Sequence, residues 1–553
     1  MSQSEKQKAE QIYKSLDDEK QKWVPVWRDI RDYINPYIGF FDGEESNSGE
    51  RIDENLIRTM SIKYSNIFAA GLQWGVTSPT RPWVKLGFRS PQLMQNGNVL
   101  GWLNIVKDIT LDVLAKGGFY TENHKWYLEL GDFCTAAMMI EEGDDTVIHC
   151  HTFTCGEYAL GIDHRGRYNQ FAMTIKLSPA QMIDKFGEEN VPKNIITARD
   201  NNDSKLRDVK HLIIPNPDYD KNKIDNKSMK FKDFYWADGC KEDEWLKEGG
   251  FNLFPIMAMP FQKKGADIYG TGPGMWSLGD AKAIQLIVRD MATAVELGVN
   301  PALQAAATSM QGAGINSLPS GVNFYNPTTG GSGDGIKPLF NVNLNIQSAM
   351  ALMQSFEECE KEHFCVKVFQ LISDMEKGTR TAREVIELSS EKMSQMGPLL
   401  ESLQDYLNMI VERVMDICFR AGVYPPPPPE IQGMEMDVEF TSILAQAQKQ
   451  QSLTPITDTV QTTIAMASGS GDMSILDKID FDEVVDQVGG LNGSPPSIIR
   501  SDEVVAQIRA QRQQAQAQAQ QMQALQQGIE SAKSASQADM SGDNALTRLV
   551  GPQ

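Results

Sequence analysis

The chain has 553 residues, three or four domains' worth of material at roughly 150 residues each, which excludes a peptide, a toxin or a lone binding module. Its 52 Lys and Arg against 73 Asp and Glu leave a formal net charge of -21, which argues against a protein that coats nucleic acid through phosphate contacts. With 41% hydrophobic and 23% charged residues, and no apolar run near the roughly 20 residues that a membrane span needs, the composition is that of a soluble globular chain. Met1 to Glu10 carry no basic segment followed by an apolar stretch, so no secretion signal is expected. Seven cysteines, at 134, 150, 155, 240, 359, 365 and 418, show no repeated CxxC. Reduced thiols are therefore expected rather than a disulfide framework or a zinc knuckle.

Taken in chain order, residues 5 to 35 predict a helix, because Ile12, Leu16, Trp23, Val26, Trp27, Ile30 and Ile34 recur mostly at three- and four-residue steps and Asn35-Pro36 ends the run. A second helix is expected over about 53 to 75, with Leu56, Met60, Tyr64, Ile67 and Phe68 on one face. The stretch Gly71 to Trp83 then packs two prolines and two tryptophans into a fixed turn. Helices are predicted at about 97 to 115 and 121 to 139, separated by Gly117-Gly118. From 146 to 176 the period changes to short β-branched and aromatic runs, with Asp163-His164-Arg165-Gly166 as a hairpin turn. Ser178-Pro179 caps a short helix to about Phe186, and 205 to 260 returns to strands, so the N-terminal half reads as α+β.

In the centre, Gly270 to Asp280 leads into an apolar stripe of Ile284, Ile287, Val288, Met291 and Val295. A Gly- and Pro-rich stretch, Gly312 to Pro338, is followed by a helix over about 344 to 372 and a polar hinge, Ser373 to Thr379. A long helix is expected from about 380 to 421, kinked at Gly397-Pro398, because proline removes a backbone donor and crowds the preceding turn. Pro425 to Pro429 is a rigid stop, and a strand is expected near Met436 to Phe440. Residues 441 to 510 read as helical and acidic. Residues 506 to 527 hold eleven Gln and six Ala, a tail that is helical or disordered rather than a globular core.

The densest set of possible metal ligands is His149, Cys150, His151 and Cys155, with His164 in the next turn. In a strand, His149 and His151 point to one face and Cys150 to the other, so ordinary strand residues outweigh a metal site; a metal-dependent hydrolase using His149, His151 and Cys155 stays open as an alternative. Gly270-Thr271-Gly272-Pro273-Gly274 before a helix has the look of a phosphate-cradling loop, but no GxxxxGK[ST] is present, and a structural turn is the stronger reading. No GxSxG or HExxH occurs, so no catalytic constellation and no cofactor is expected. Lys377, Arg380 and Arg383 cluster before the long helix, where a DNA backbone contact competes with a solvated helix start flanked by Glu376 and Glu384.

An ordered set of segments resembles the head-to-tail connecting, or portal, proteins of short-tailed, T7-like bacteriophages. The set comprises Ala70 to Trp83, Gly156-Glu157-Tyr158 with the Asp163 to Arg167 hairpin, and Tyr269 to Met275. It continues with Thr381-Ala382-Arg383-Glu384-Val385, Met396-Gly397-Pro398 and Ala421-Gly422-Val423, so that it covers about residues 5 to 510. The resemblance implies a non-enzymatic homo-oligomeric ring, usually of twelve subunits, at one capsid vertex, through which double-stranded DNA is packaged and ejected. The implied fold is α+β: an N-terminal wing over 1–274, stem helices at 275–305 and 344–372 flanking a clip at 306–343, and a tunnel loop at 373–380. A long kinked wing helix and return strand at 381–440, a helical crown at 441–510 and a tail at 511–553 complete it. The resemblance further implies docking of the packaging terminase and later the tail adaptor on the clip, for which Asn323, Tyr325, Asp334 and Lys337 are the candidates, with Lys377, Arg380 and Arg383 facing DNA. Major capsid and scaffolding proteins are the other implied partners, with no membrane partner, and the implied location is the virion, with the host cytoplasm during assembly. A tail adaptor that only caps the head is the second alternative. An acidic channel would keep the duplex mobile, because every neutralised phosphate raises the barrier to sliding.

Overall fold

The computed structural model describes residues 4–41, 49, 51–90, 93–143, 145–220, 225, 228–237, 245–306, 316, 318, 320–325, 337–338, 345–370, 382–434, 436–440, 453–491 and 502–536, with backbone alone for 382–395 and for parts of several other elements. The chain divides into two units, Met1–Gln448 and Lys449–Gln553. Helix is the larger share at 55%, with 17% strand, consistent with the α+β class.

The first helical stretch is two helices rather than one. Helix α1, Glu5–Gln21, starts on a capping box in which the Ser4 hydroxyl accepts from the Gln7 backbone N–H and the Gln7 side chain answers the Ser4 N–H. Helix α2, Val24–Tyr33, begins afresh at Trp23 because Pro25, lacking an N–H, fits only the first turn of a helix. Helix α3, Met60–Val76, starts later than expected, since the backbone at Ile57 and Arg58 is bonded to a glutamine side chain elsewhere in the chain instead.

Helices α4, Gly97–Lys116, and α5, Phe119–Asp132, flank the central core. The helix expected to reach 139 stops at Asp132; Cys134 adopts a left-handed φ of 62° and the chain continues as strand β2, Thr135–Glu142. Strand β2 is central, paired antiparallel with β3, Ile148–Phe153, and with a later strand at Ile256–Pro260. Its first six residues are buried on both faces, and such a continuous run carries no alternation to set it apart from a buried helix.

The hairpin at 163–166 forms as expected: the Asp163 carboxylate accepts from the N–H groups of Arg165 at 2.8 Å and Arg167 at 2.9 Å, and Gly166 takes a φ of 78°. It joins β4, Tyr158–Ile162, to β5, Tyr168–Leu177. With β6, Arg207–Pro215, β7, Phe231–Ala237, and β8, Lys247–Phe251, these make an antiparallel five-stranded sheet in sequential order. Each face of that sheet is covered. Ala9 and Leu16 of α1 pack against Ala159, Ala172, Leu212, Phe234 and Trp236 on one side. On the other, Met182 and Phe186 of α6, Pro179–Phe186, and Ile195 of α7, Lys193–Asp200, pack against Val209, Tyr235 and Ala237. Strand β9, Ile256–Pro260, then returns to β2.

Helix α8, Pro273–Val299, leaves this body, and three short strands follow: β10, Leu303–Ala306, β11, Val322–Tyr325, and β12, Lys337–Pro338. Helix α9, Ile346–His363, returns alongside α8. The long helix α10, Ala382–Arg420, is continuous through Pro398, and its buried Leu403, Tyr406, Ile410, Val414 and Ile417 enter the main core. Strand β13, Asp437–Phe440, pairs with β1, Val84–Gly87, so that Trp83 stacks on Phe440 with ring centroids 6.2 Å apart. The proline–tryptophan turn is thereby anchored at both ends.

In the second unit, helices α11, Leu453–Ser470, and α12, Phe481–Leu491, precede α13, Asp502–Ser536, which carries the whole Gln/Ala tract and runs across the expected crown–tail boundary at 510. Arg509 makes a bidentate pair with Asp482 at 2.6 and 2.7 Å. Among the described residues of this unit, Ala467 is buried and Ile464, Met466, Phe481, Val485 and Met522 are exposed apolar side chains.

Candidate functional site

The lead-in to α8 is built for close chain approach. A Cβ on Gly274 would sit 1.9 Å from the Asp132 carbonyl oxygen, and one on Gly270 would sit 2.4 Å from that of Cys134. The Gly270 N–H donates to Thr135 Oγ1 at 2.7 Å, and that of Thr271 to the Gln262 carbonyl at 2.8 Å. The glycines thus admit the backbone of 132–135 where a nucleotide loop would admit a phosphate, and the structural-turn reading holds.

Beyond Gln285 no residue of α8 is buried: Leu286, Val295 and Val299 expose 56%, 48% and 73% of their surface. Helix α9 likewise exposes Ile346, Met350 and Leu352 before its first buried residue, Met353. The two helices therefore run out of the core with apolar flanks in solvent, and they carry at their far end the three-stranded β10–β12 module, in which β10 pairs parallel with β11 and antiparallel with β12. From 273 to 370 the chain holds eight acidic and five basic residues, so this region shares the acidic balance of the whole.

Where the two helices meet the body, polar groups bind them to the segment before α3. Gln285 of α8 accepts from the N–H groups of Ile57 and Arg58 at 2.9 and 3.0 Å and donates to the Arg58 carbonyl at 2.7 Å. Glu357 of α9 pairs with the Arg58 guanidinium. Glu360, fully buried, accepts from the Ser61 hydroxyl at 3.2 Å, and burial pushes its carboxyl up to about 7. Sequence reasoning missed this cluster. Its signal was there: Glu357 and Glu360 occupy the α9 stripe between Met353 and Phe364, where an amphipathic helix otherwise places apolar side chains.

The sequence-predicted contact residues are placed unevenly. Lys377, Arg380 and Asp334 lie outside the described residues, and Arg383 is described only as the second residue of α10. Tyr325 ends β11 opposite Ala306, and Lys337 stands opposite Gln304 in β12. Asn323 is buried, its amide donating to the Asn316 carbonyl at 2.6 Å and accepting from the Asn316 N–H, so this side chain closes the 316–323 loop. Gly397 and Pro398 lie inside α10, with Pro398 exposed.

The metal-site alternative finds no geometry. His149 and His151 face outward from β3 opposite Glu141 and Met139, while Cys150 points into the core. Cys155 is buried beyond the strand, its N–H donated to Glu129 at 3.0 Å and its thiol held well above the usual range by burial. The three residues are thus split between surface and core, and among the described residues no group of three His, Cys, Asp or Glu converges to hold a metal ion. Nor, among these residues, is any helix long and apolar enough to cross a membrane.

Residues 6–499 match the family model of the bacteriophage head to tail connecting protein. Over 97% of its length the chain is 32% identical to a probable portal protein of Bordetella phage BPP-1, covering 96% of that protein. It is also 32% identical to the portal protein of Salmonella phage epsilon15, over 100% of this chain and 99% of that one, so the alignment extends through the Gln/Ala helix that the family model leaves out. By the family model and by both alignments, the chain belongs to the bacteriophage head-to-tail connecting protein family.

Proposed function

We propose that the chain is the subunit of a portal ring at one capsid vertex, twelve copies enclosing a channel through which double-stranded DNA is packaged and later ejected. The observation that carries this reading is the similarity to two phage portal proteins along essentially the whole chain. The role is structural rather than enzymatic, as it is for the family. The acidic balance of -21 fits it physically, since a channel wall that bound phosphates tightly would arrest the duplex.

In this reading the five-stranded sheet, α1–α7 and α10 form the wing, α8 and α9 the stem, and the β10–β12 module part of the clip. The segment 373–380 with Lys377 and Arg380 forms the tunnel loop, and α11–α13 the crown and its extension. The clip meets the terminase during packaging and the tail adaptor afterwards, with Tyr325, Asp334 and Lys337 as contact residues. Asn323, committed to Asn316, supports the loop. Major capsid and scaffolding proteins surround the wing. The exposed apolar flanks of α8 and α9 are where neighbouring subunits bury surface. The protein assembles in the host cytoplasm and ends in the virion.

Negative-stain microscopy of the purified full-length chain, with a mass measurement, tests the proposal. Rings with an open central channel are expected. Monomers or dimers across a wide concentration range would overturn it.

A further inference from the structure

The polar cluster at the root of α8 and α9 combines features that do not serve stability at every pH. Glu360 has no exposed surface, so nothing outside the chain reaches it while the cluster is closed. Its two oxygens share one neutral donor, the Ser61 hydroxyl, at 3.2 and 3.3 Å. The groups around it come from each packed element. Helix α8 contributes Asp280, whose charge adds to that of Glu357 in disfavouring a second anion. The segment before α3 contributes Arg58, which Glu357 already occupies. Helix α3 contributes Tyr64, whose buried hydroxyl has no hydrogen-bond partner among the described residues and lies in the field of Glu357 and Glu360. On α9 itself, Lys361 is bonded to Glu358 at 2.7 Å and His363 lies within 3.2 Å of Ser277. Lys282, next along α8, is bonded to Asp29 at 2.6 Å. Three carboxyls therefore face one guanidinium; among the described residues, Lys282 and His363 are engaged elsewhere, and Lys361, bonded to Glu358, lies 5.9 Å from the centre of the Tyr64 ring.

We propose that this cluster is a proton-operated clamp: with Glu360 neutral it holds the root of α8 and α9 against the body, and on ionisation of Glu360 it opens and frees the helix pair to pivot. The proton passes to solvent water, and no other covalent bond changes. An unpaired anion confined beside two carboxylates gains more by reaching water than by staying closed. Opening gives up the Gln285 bonds to Ile57 and Arg58 and the Arg58–Glu357 pair, whereas the half of α8 beyond Gln285 has no fully buried residue to expose.

The sign follows from linkage. Burial, reinforced by Asp280 and Glu357 and opposed by the Ser61 bond, raises Glu360 from its ordinary 4.5 to about 7 in the closed state. The closed cluster therefore binds the proton more tightly than the open one. Its stability is full below the ordinary carboxyl value and is lost as pH rises through about 7.

Hydrogen–deuterium exchange of the full-length protein, corrected for the intrinsic pH dependence of amide exchange, tests the clamp between about pH 5.5 and about pH 8.5. Peptides spanning 57–64 and 350–363 are expected to open about thirtyfold more at the higher pH, the change that a carboxyl moving between these two values imposes on an opening equilibrium. Glu360→Gln, which keeps the shape and a hydrogen bond to Ser61 but cannot ionise, is expected to flatten that dependence. Ser61→Ala removes the only donor to Glu360 among the described residues and is expected to move the midpoint to higher pH. Peptides from α5, which holds other buried carboxyls, are expected to respond alike in all three proteins. A native profile without pH dependence, or one that Glu360→Gln reproduces, would overturn the clamp. If Glu360→Gln does not fold, an unmoved or lowered midpoint in Ser61→Ala overturns it equally.

Discussion

Two glycines five residues apart provide an internal contrast in α8. At Gly274 a Cβ would stand 1.9 Å from the Asp132 carbonyl oxygen and within 2.9 Å of the Asp132 carbonyl carbon and Cα. All three are backbone atoms at the end of α5, and none can rotate away as a side chain would. Gly274→Ala must therefore separate α8 from α5 by more than 1 Å, and overpacking of that kind costs about 1–3 kcal/mol, at the upper end where the obstacle is backbone. The damage also reaches Asp132 and Cys134, whose thiol donates to that same Asp132 carbonyl at 3.7 Å. At Gly279, in the interior of the same helix, a Cβ meets nothing within 4 Å. Gly279→Ala should stabilise by roughly 0.5–1 kcal/mol, because alanine gives up less backbone freedom on entering a helix. Thermal unfolding of the two variants beside the native protein, followed by circular dichroism, is the assay. The expected result is a lowered midpoint for Gly274→Ala and an unchanged or raised one for Gly279→Ala. Equal midpoints for native protein and Gly274→Ala would refute the claim that the glycine exists for chain approach, and equal losses at both positions would refute the distinction drawn between them.

Other outcomes follow from named groups. Glu129, fully buried on α5 and accepting from Thr154 Oγ1 and the Cys155 N–H, has its carboxyl raised to about 8 by burial. It therefore contributes stability at acid pH that is lost as pH rises through about 8. Glu129→Gln is expected to remove on the order of a few kcal/mol from the difference in unfolding free energy between acid and alkaline conditions; an unchanged pH profile would show that Glu129 does not hold a proton in the folded state. Asn202, exposed just past the end of α7, has a φ of 54°. Asn202→Gly should leave stability equal or improved, whereas Asn202→Val should cost about 1–2 kcal/mol by forcing a β-branched residue into the left-handed region. Equal midpoints for these two variants in denaturant titration would contradict that assignment.

Much of the architecture was legible locally. The hairpin at Asp163–Gly166, the capped helix after Ser178-Pro179, the long helix ending near Arg420 and the strand before Phe440 are each specified by residues close in sequence, and they form where expected. The failures share a cause. The run from Ala136 to Ile140 has no polar position to reveal its period because β3, β9 and both faces of the core surround it, and only that packing turns it into a strand. The first helix divides at Pro25, where a local rule was present and the apolar stripe outweighed it.

The candidate site divides along the same line. Composition and the order of segments carried the family resemblance and the acidic balance, because both are properties of the chain itself. Gln285, Glu357, Glu360, Arg58 and Ser61 bond across as many as 299 residues and form one cluster only when α8 and α9 dock beside the start of α3. Their burial sets the charge state of Glu360, and burial is a property of the packed body that no local window contains. Sequence by itself determined most of the elements, the acidity and the family; tertiary structure decided the buried strand at 135–142 and which polar side chains lose water together, because desolvation depends on every segment that closes over a group, however distant in the chain.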